Sequence, residues 1–205
     1  MSLQNRVLPT GEIVADAARG LFTGNRGILH DAQGQLGTSR WQHPHWVLCT
    51  LDHPRGVYHG PMPQRGWTAL FFLDEAVGLA AGHRPCHYCR REAARAFVKA
   101  FQAGHGEVTD RITMDRTLHR ARVTRQRAQV RFQAPLRDMP DGAFVLWQDQ
   151  PMLVQADRLL PYATGGYGPP LSRPDGVVTV LTPAPIVAAL HSGYTPVLHP
   201  NASLP

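Results

Sequence analysis

The chain has 205 residues, 43% of them hydrophobic, which suffices for one ordinary domain or two small ones with a real core. No run approaches the roughly 18 apolar residues of a membrane-spanning helix. The first twenty residues carry Glu12 and Asp16 without an apolar leader core, so the expectation is a cytoplasmic protein with no membrane partner.

The formal net charge is +6, and every cationic side chain except Lys99 is arginine, the planar fork suited to phosphate and carboxylate. The charge is concentrated. Arg84 to Arg131 holds twelve Arg and Lys against four Asp and Glu, while the remaining residues hold nine against eleven. A positive field confined to one segment is the footprint of a polyanion-binding face.

In chain order, Gly20 to Gly37 reads as glycine-rich loops. His45 to Leu51 reads as a strand, followed by a turn at His53-Pro54-Arg55-Gly56 and a return strand at Val57 to His59. Trp67 to Leu73 is a further strand. Asp74 caps a short helix with Glu75 at its positive end, and Gly82 stops it. Pro85 to Cys89 is a tight turn. Arg90 to Gln102 is a helix with Ala94, Phe97, Val98 and Phe101 on its apolar face, ended by Gly104. Arg91, Arg95 and Lys99, four apart, form a cationic stripe on another face.

Thr109 to about Val123 is a third helix capped by Thr109, with a thin stripe of Ile112, Leu118 and Ala121. Gln129 to Ala134, Phe144 to Gln148 and Met152 to Gln155 read as three strands of one antiparallel group. Pro161 to Asp175 is a Gly/Pro-rich connection. Val177 to Leu181 is a strand, and Thr182-Pro183 opens a last helix that Gly193 closes. The fold class is α+β, with antiparallel strands around a zinc-stapled strand–helix–turn–helix centre. Residues 1–125 form the metal-containing part with the basic helices. Residues 126–205 form a smaller strand part with a C-terminal helix, within one domain or as two.

The three cysteines are Cys49, Cys86 and Cys89. A two-residue gap in a tight turn brings both sulfurs to one ion and frees backbone N–H groups to point at them. No βαβ pattern precedes the pair, which argues against a redox dithiol. An odd count argues against a disulfide framework. One zinc ion with four ligands is therefore expected. Cys86 and Cys89 give two and Cys49 the third, with His45 as the fourth, His53 as its alternative and His59 as a further choice.

Phe71 to Arg90 also resembles the second half of the Ada-type zinc-binding domain. Ala80, Ala81, Gly82, Arg84, Pro85, Cys86 and Cys89 match its turn, and His83 stands at the aromatic position. The resemblance implies two further ligands about four residues apart, for which Cys49 with His45 or His53 is the nearest equivalent. In the DNA-repair members a zinc-bound thiolate takes a methyl group from a damaged DNA phosphate, and by resemblance Cys49 would be the candidate for that role. Other members use the module as a small structural piece, which suits this sequence better.

Three functions follow as expectations. The first is a zinc-stabilised nucleic-acid-binding protein, in DNA repair or processing, whose phosphate contacts are Arg84, Arg90, Arg91, Arg95, Lys99 and Arg120. The second is a metal-dependent phosphodiester hydrolase or nuclease in which Arg26 grips phosphate and His30, Asp31 and His119 are the catalytic candidates. The third is a structural zinc protein that binds another protein.

Overall fold

The computed structural model describes residues 2–53, 56–57, 67–107 and 109–203. Among these residues the fold is α+β, with two main sheets and four α-helices. The first sheet contains β1 (Gln4–Val7), β2 (Ile13–Ala15), β3 (Phe22–Asn25), β4 (Val47–Thr50), β7 (Leu70–Phe72) and β8 (Arg84–Pro85). Their order is β2-β1-β7-β3-β4-β8. It is not wholly antiparallel as expected, because β1 with β7 and β4 with β8 run parallel. Between β4 and β7, β5 (Asp52–His53) pairs with β6 (Gly56–Val57), and the rest of the expected return strand lies outside the described residues.

The second sheet is antiparallel. It contains β9 (Phe132–Pro135), β10 (Phe144–Trp147), β11 (Gln150–Gln155), β12 (Arg158–Ala163), β13 (Gly166–Tyr167), β14 (Leu171–Ser172) and β15 (Val177–Val180). The order is β13-β12-β11-β10-β15-β9, with β14 also on β12. Alternation along β10 and β11 sends Phe144 and Leu153 to one core and Val145, Met152 and Val154 to another, so both faces are covered. The first of these cores also takes Val7, Leu48, Leu70 and Phe72 from the other sheet. Residues on either side of position 125 therefore share one hydrophobic core.

The helices are α1 (Glu75–Ala80), α2 (Arg91–His105), α3 (Arg111–Arg122) and α4 (Ala184–His191). Asp74 caps α1, accepting from Val77 N–H at 3.0 Å. The third core joins Phe97 and Phe101 of α2, Met114 and Leu118 of α3, and Ile186 and Leu190 of α4. Burial of each such large side chain contributes about 1.5–3 kcal/mol. The end of α2 differs from expectation. Gly106, at φ 70°, is its C-cap, and Gly104 lies inside the helix, where a Cβ would come within 2.7 Å of the Ala188 carbonyl oxygen. Gly104 thus permits close approach of α4 rather than stopping α2. Likewise Asp110, not Thr109, caps α3, and the Thr182 hydroxyl accepts from Phe144 N–H instead of capping α4.

Two adjacent carboxylates at the start of α1 tie the parts together. Asp74 also accepts from the Tyr167 hydroxyl at 2.7 Å and from His199 N–H at 3.0 Å. Glu75 accepts both Arg90 Nη atoms at 2.8 Å, the Tyr194 hydroxyl at 2.5 Å and Val197 N–H at 2.9 Å. Burial pushes the Asp74 carboxyl up, against the hydrogen bonds it accepts. Removing one partner of a buried pair leaves the other charge uncompensated. Glu75→Gln is therefore expected to cost about 3–5 kcal/mol of unfolding free energy, read from urea melts. A change within about 0.5 kcal/mol would contradict the role assigned to this pair.

Candidate metal centre and cationic cavities

Strand β4 alternates. Trp46, just before it, and Leu48 are buried, while Val47 and Cys49 lie on the opposite, half-buried side. Strand β8 runs beside it, pairing Arg84 with Val47 and Pro85 with Leu48. Cys86 N–H then donates to the Leu48 carbonyl at 2.9 Å, which brings Cys86 next to Cys49. The turn closes with Arg90 N–H on the Cys86 carbonyl at 3.0 Å and Tyr88 N–H on Cys86 Sγ at 3.4 Å. The sulfurs of Cys49, Cys86 and Cys89 all lie within 4.8 Å of one another, although 36 residues of chain separate the first from the second.

These thiols are unlike isolated cysteines. Hydrogen bonds from Cys49 and Cys89, with backbone N–H groups, pull Cys86 far below the ordinary thiol range. Donation to its two neighbours and burial push Cys49 up. A site in which one sulfur is already driven toward thiolate fits a cation, whose binding displaces the remaining protons. The group could hold a metal ion, and three sulfurs are compatible with zinc. His45 does not belong to it. Its Nδ1 lies 2.7 Å from Asp115 Oδ2. The side chain of His53 and the whole of His59 lie outside the described residues.

Two expected phosphate contacts occupy the interior. Arg84, 3% exposed, grips Asp115 bidentately at 2.6 and 2.7 Å. Arg90, 8% exposed, is the partner of Glu75 described above. The C-x2-C turn is thus held by an ion pair on each flank, and neither arginine is free for a ligand. Arg91, Arg95, Lys99, Arg116 and Arg120 are exposed.

The hydrolase candidates are engaged separately. The ring nitrogens of His30 lie 3.3 Å from Thr68 Oγ1 and 3.0 Å from the Gln4 carbonyl oxygen. Asp31 accepts Gln33 and Gln35 N–H groups within its own turn. His119 Nδ1 lies 3.0 Å from Arg122 Nη2, with its ring edge-on to Trp41 and Trp46. Burial and Arg122 push His119 down to about 4, so it is neutral near pH 7. The contacts of these three residues define no common cleft.

Two concavities meet at Trp41. One, of about 310 Å³, is lined by Arg26, Arg40, Arg122, Arg127, Arg131 and Trp46 among others. The second, of about 620 Å³, lies over α3 between His43, Arg116, His119 and Arg120. Trp41, Trp46, Asp115 and Arg122 carry no sequence motif. The one available signal was in α3, where Asp115 and Arg122 complete the apolar stripe begun by Met114 and Leu118.

The fold and site define an α+β protein with a three-cysteine centre able to hold a metal, and among the described residues no helix is long and apolar enough to cross a membrane. Comparison of the chain with protein families, with characterised proteins and with solved structures finds no match.

Burial raises the Asp115 carboxyl, but hydrogen bonding and charge from Arg84, with His45, outweigh it and hold the group below the usual carboxylate range. A depressed carboxylate contributes stability above its unfolded pKa and loses it as pH falls through the folded value. Asp115→Asn is expected to destabilise by about 3–5 kcal/mol at neutral pH. The gap from wild type should narrow toward about pH 3 in urea melts. A gap independent of pH would contradict the assignment. His45→Ala should leave the bound-metal content unchanged.

Proposed function

We propose that the chain is a zinc-stapled nucleic-acid-binding protein. Zinc takes the three thiolates of Cys49, Cys86 and Cys89. A fourth ligand from the segment after β4, where His53 is the nearest candidate, would complete the tetrahedral set common in structural sites. Bound there, the ion links β4 to the residue two positions before α2 and so fixes how that helix leaves the sheet. The observation that carries the nucleic-acid reading is the exposed stripe that α2 then presents. Arg91, Arg95 and Lys99 recur every four residues, without an acidic residue among them at that spacing. Exposed Arg116 and Arg120 on α3 add to the positive surface.

Such side chains meet phosphates and position a backbone without reading its sequence, so affinity should fall steeply with salt. Arg84 and Arg90 have no place in this contact set, since both are committed to carboxylates. They hold the turn from which the stripe is launched.

Metal analysis of purified protein is expected to find one zinc per chain and much less in Cys86→Ser. Binding to duplex and single-stranded DNA at two salt concentrations tests the partner. The double reversal Arg91→Glu with Arg95→Glu should weaken binding roughly tenfold or more and flatten the salt slope. Salt-insensitive binding, or affinity unchanged by the reversal, would overturn the nucleic-acid reading and favour a zinc protein that binds another protein.

A further inference from the structure

The smaller cavity holds charges that the fold leaves unneutralised. Among the described residues that line it are five arginines, Arg26, Arg40, Arg122, Arg127 and Arg131, against one acidic residue, Glu12. Arg26 and Arg122 are each 2% exposed, and both stand over the Trp46 ring, with Cζ atoms 4.1 and 3.9 Å from its centroid. Among the described residues neither makes an ion pair. Arg26 has Nε 3.3 Å from His83 Nε2, a long contact from Nη1 to the Gly11 carbonyl, and no partner at Nη2. Arg122 donates through its Nη atoms to the carbonyls of Gly82 and Pro44, and its Nε has no partner.

Arg84 and Arg90, buried to a similar degree, each have a bidentate carboxylate. The contrast is within one chain. Arg6, also buried, likewise makes no ion pair among the described residues, but it does not line this cavity, whereas at Trp46 two buried cations share one aromatic ring. A ring quadrupole offsets only part of the cost of burying a cation. Burial, with Arg40, pushes Arg26 down to about 9, and burial, with Arg26 and against the opposing charge of Asp115, pushes Arg122 down. A bound anion would relieve both.

We propose that this cavity binds a phosphate monoester. Forked donors converging from several sides suit a compact dianion with acceptor oxygens all round better than a single carboxylate. The volume, about 310 Å³, is at the lower end of small-ligand sites, which run from about 300 Å³. Trp41 walls both this cavity and the groove over α3, so the organic part of the ester has a route along His119 and Arg120. At the mouth, Arg40 and Arg127 are held by the carbonyls of Gly37 and Thr38, both at 2.6 Å. The ester could be a free small molecule or the terminal phosphate of a nucleic-acid strand. The second source rests on the function proposed above, while the cavity itself does not.

The test is a titration of the full chain with inorganic phosphate, a nucleoside monophosphate, and one oligonucleotide with either a 5′-phosphate or a 5′-hydroxyl, at constant ionic strength, read by melting temperature and tryptophan fluorescence. Phosphate is expected to raise the melting temperature saturably. Arg26→Gln should weaken its binding roughly tenfold or more, the loss of one charge-assisted hydrogen bond. If that variant fails to fold, exposed Arg131→Gln provides the same comparison from the mouth of the cavity. A preference for the phosphorylated oligonucleotide that Arg26→Gln abolishes identifies a strand end as the source. Tight phosphate and nucleotide binding without oligonucleotide binding supports the cavity and overturns the nucleic-acid reading. Absence of any phosphate response in wild type, or a response that survives both substitutions, overturns the cavity proposal whatever the DNA result.

Discussion

The short parallel pairing of β4 with β8 is the contact on which both candidate sites depend. It pairs Val47 with Arg84 and Leu48 with Pro85, and is flanked by bonds from Arg84 N–H to the Trp46 carbonyl at 3.2 Å and from Cys86 N–H to the Leu48 carbonyl at 2.9 Å. Because side chains alternate along a strand, the same segment serves two chemistries on its two sides. Cys49 and Cys86 meet on one side. On the other, Trp46 lies against His83 at 5.2 Å between ring centroids and carries the two unpaired arginines. A parallel pair of two residues per strand is weak by itself. Here the ion pairs of Arg84 with Asp115 and of Arg90 with Glu75 fasten the chain just before and just after the turn, and a metal on the three sulfurs would fasten the turn itself.

Arginine content takes on a different meaning in this light. The chain spends its guanidinium groups in three ways. Arg84 and Arg90 neutralise buried acids and organise the fold. Arg91, Arg95, Arg116 and Arg120 remain in solvent, where long-range attraction to a polyanion is their natural effect. Among the described residues Arg26 and Arg122, like Arg6, are buried without an ion pair, and these two stand together over one ring beside a cavity. Net charge could not separate these uses, since each contributes equally to the +6.

Elements with strong local signals were legible from sequence. The Asp74 cap, the apolar repeat of Ala94, Phe97 and Phe101, and the apolar runs of β10 and β11 each encode a local geometry that tertiary packing kept. The C-x2-C turn was legible for the same reason, and Cys49 joined it by ligand count rather than by any local pattern. Strand β12 was hidden because Pro161 and the glycines beyond it favour turns. The pairing of Leu160 with Leu153 and of Pro161 with Met152 overrides that preference. The hairpin of β1 and β2, and β3 within the glycine-rich stretch, are too short to show a period. The partners of Arg84 and Arg90 lie 31 and 15 residues away, and the convergence of Arg26 and Arg122 on Trp46 joins three distant segments. No spacing rule reaches across such separations, which is why two arginines expected on the surface are inside, and why Arg122, which no motif marked, joins Arg26 at a cavity.

X-ray absorption at the zinc edge of the purified protein measures the central arrangement most directly. The account predicts a four-coordinate ion with three sulfur neighbours at about 2.3 Å and one lighter atom at about 2.0 Å. A shell with two sulfurs or fewer would mean that β4 and the turn after β8 are not joined through the ion, and would contradict it.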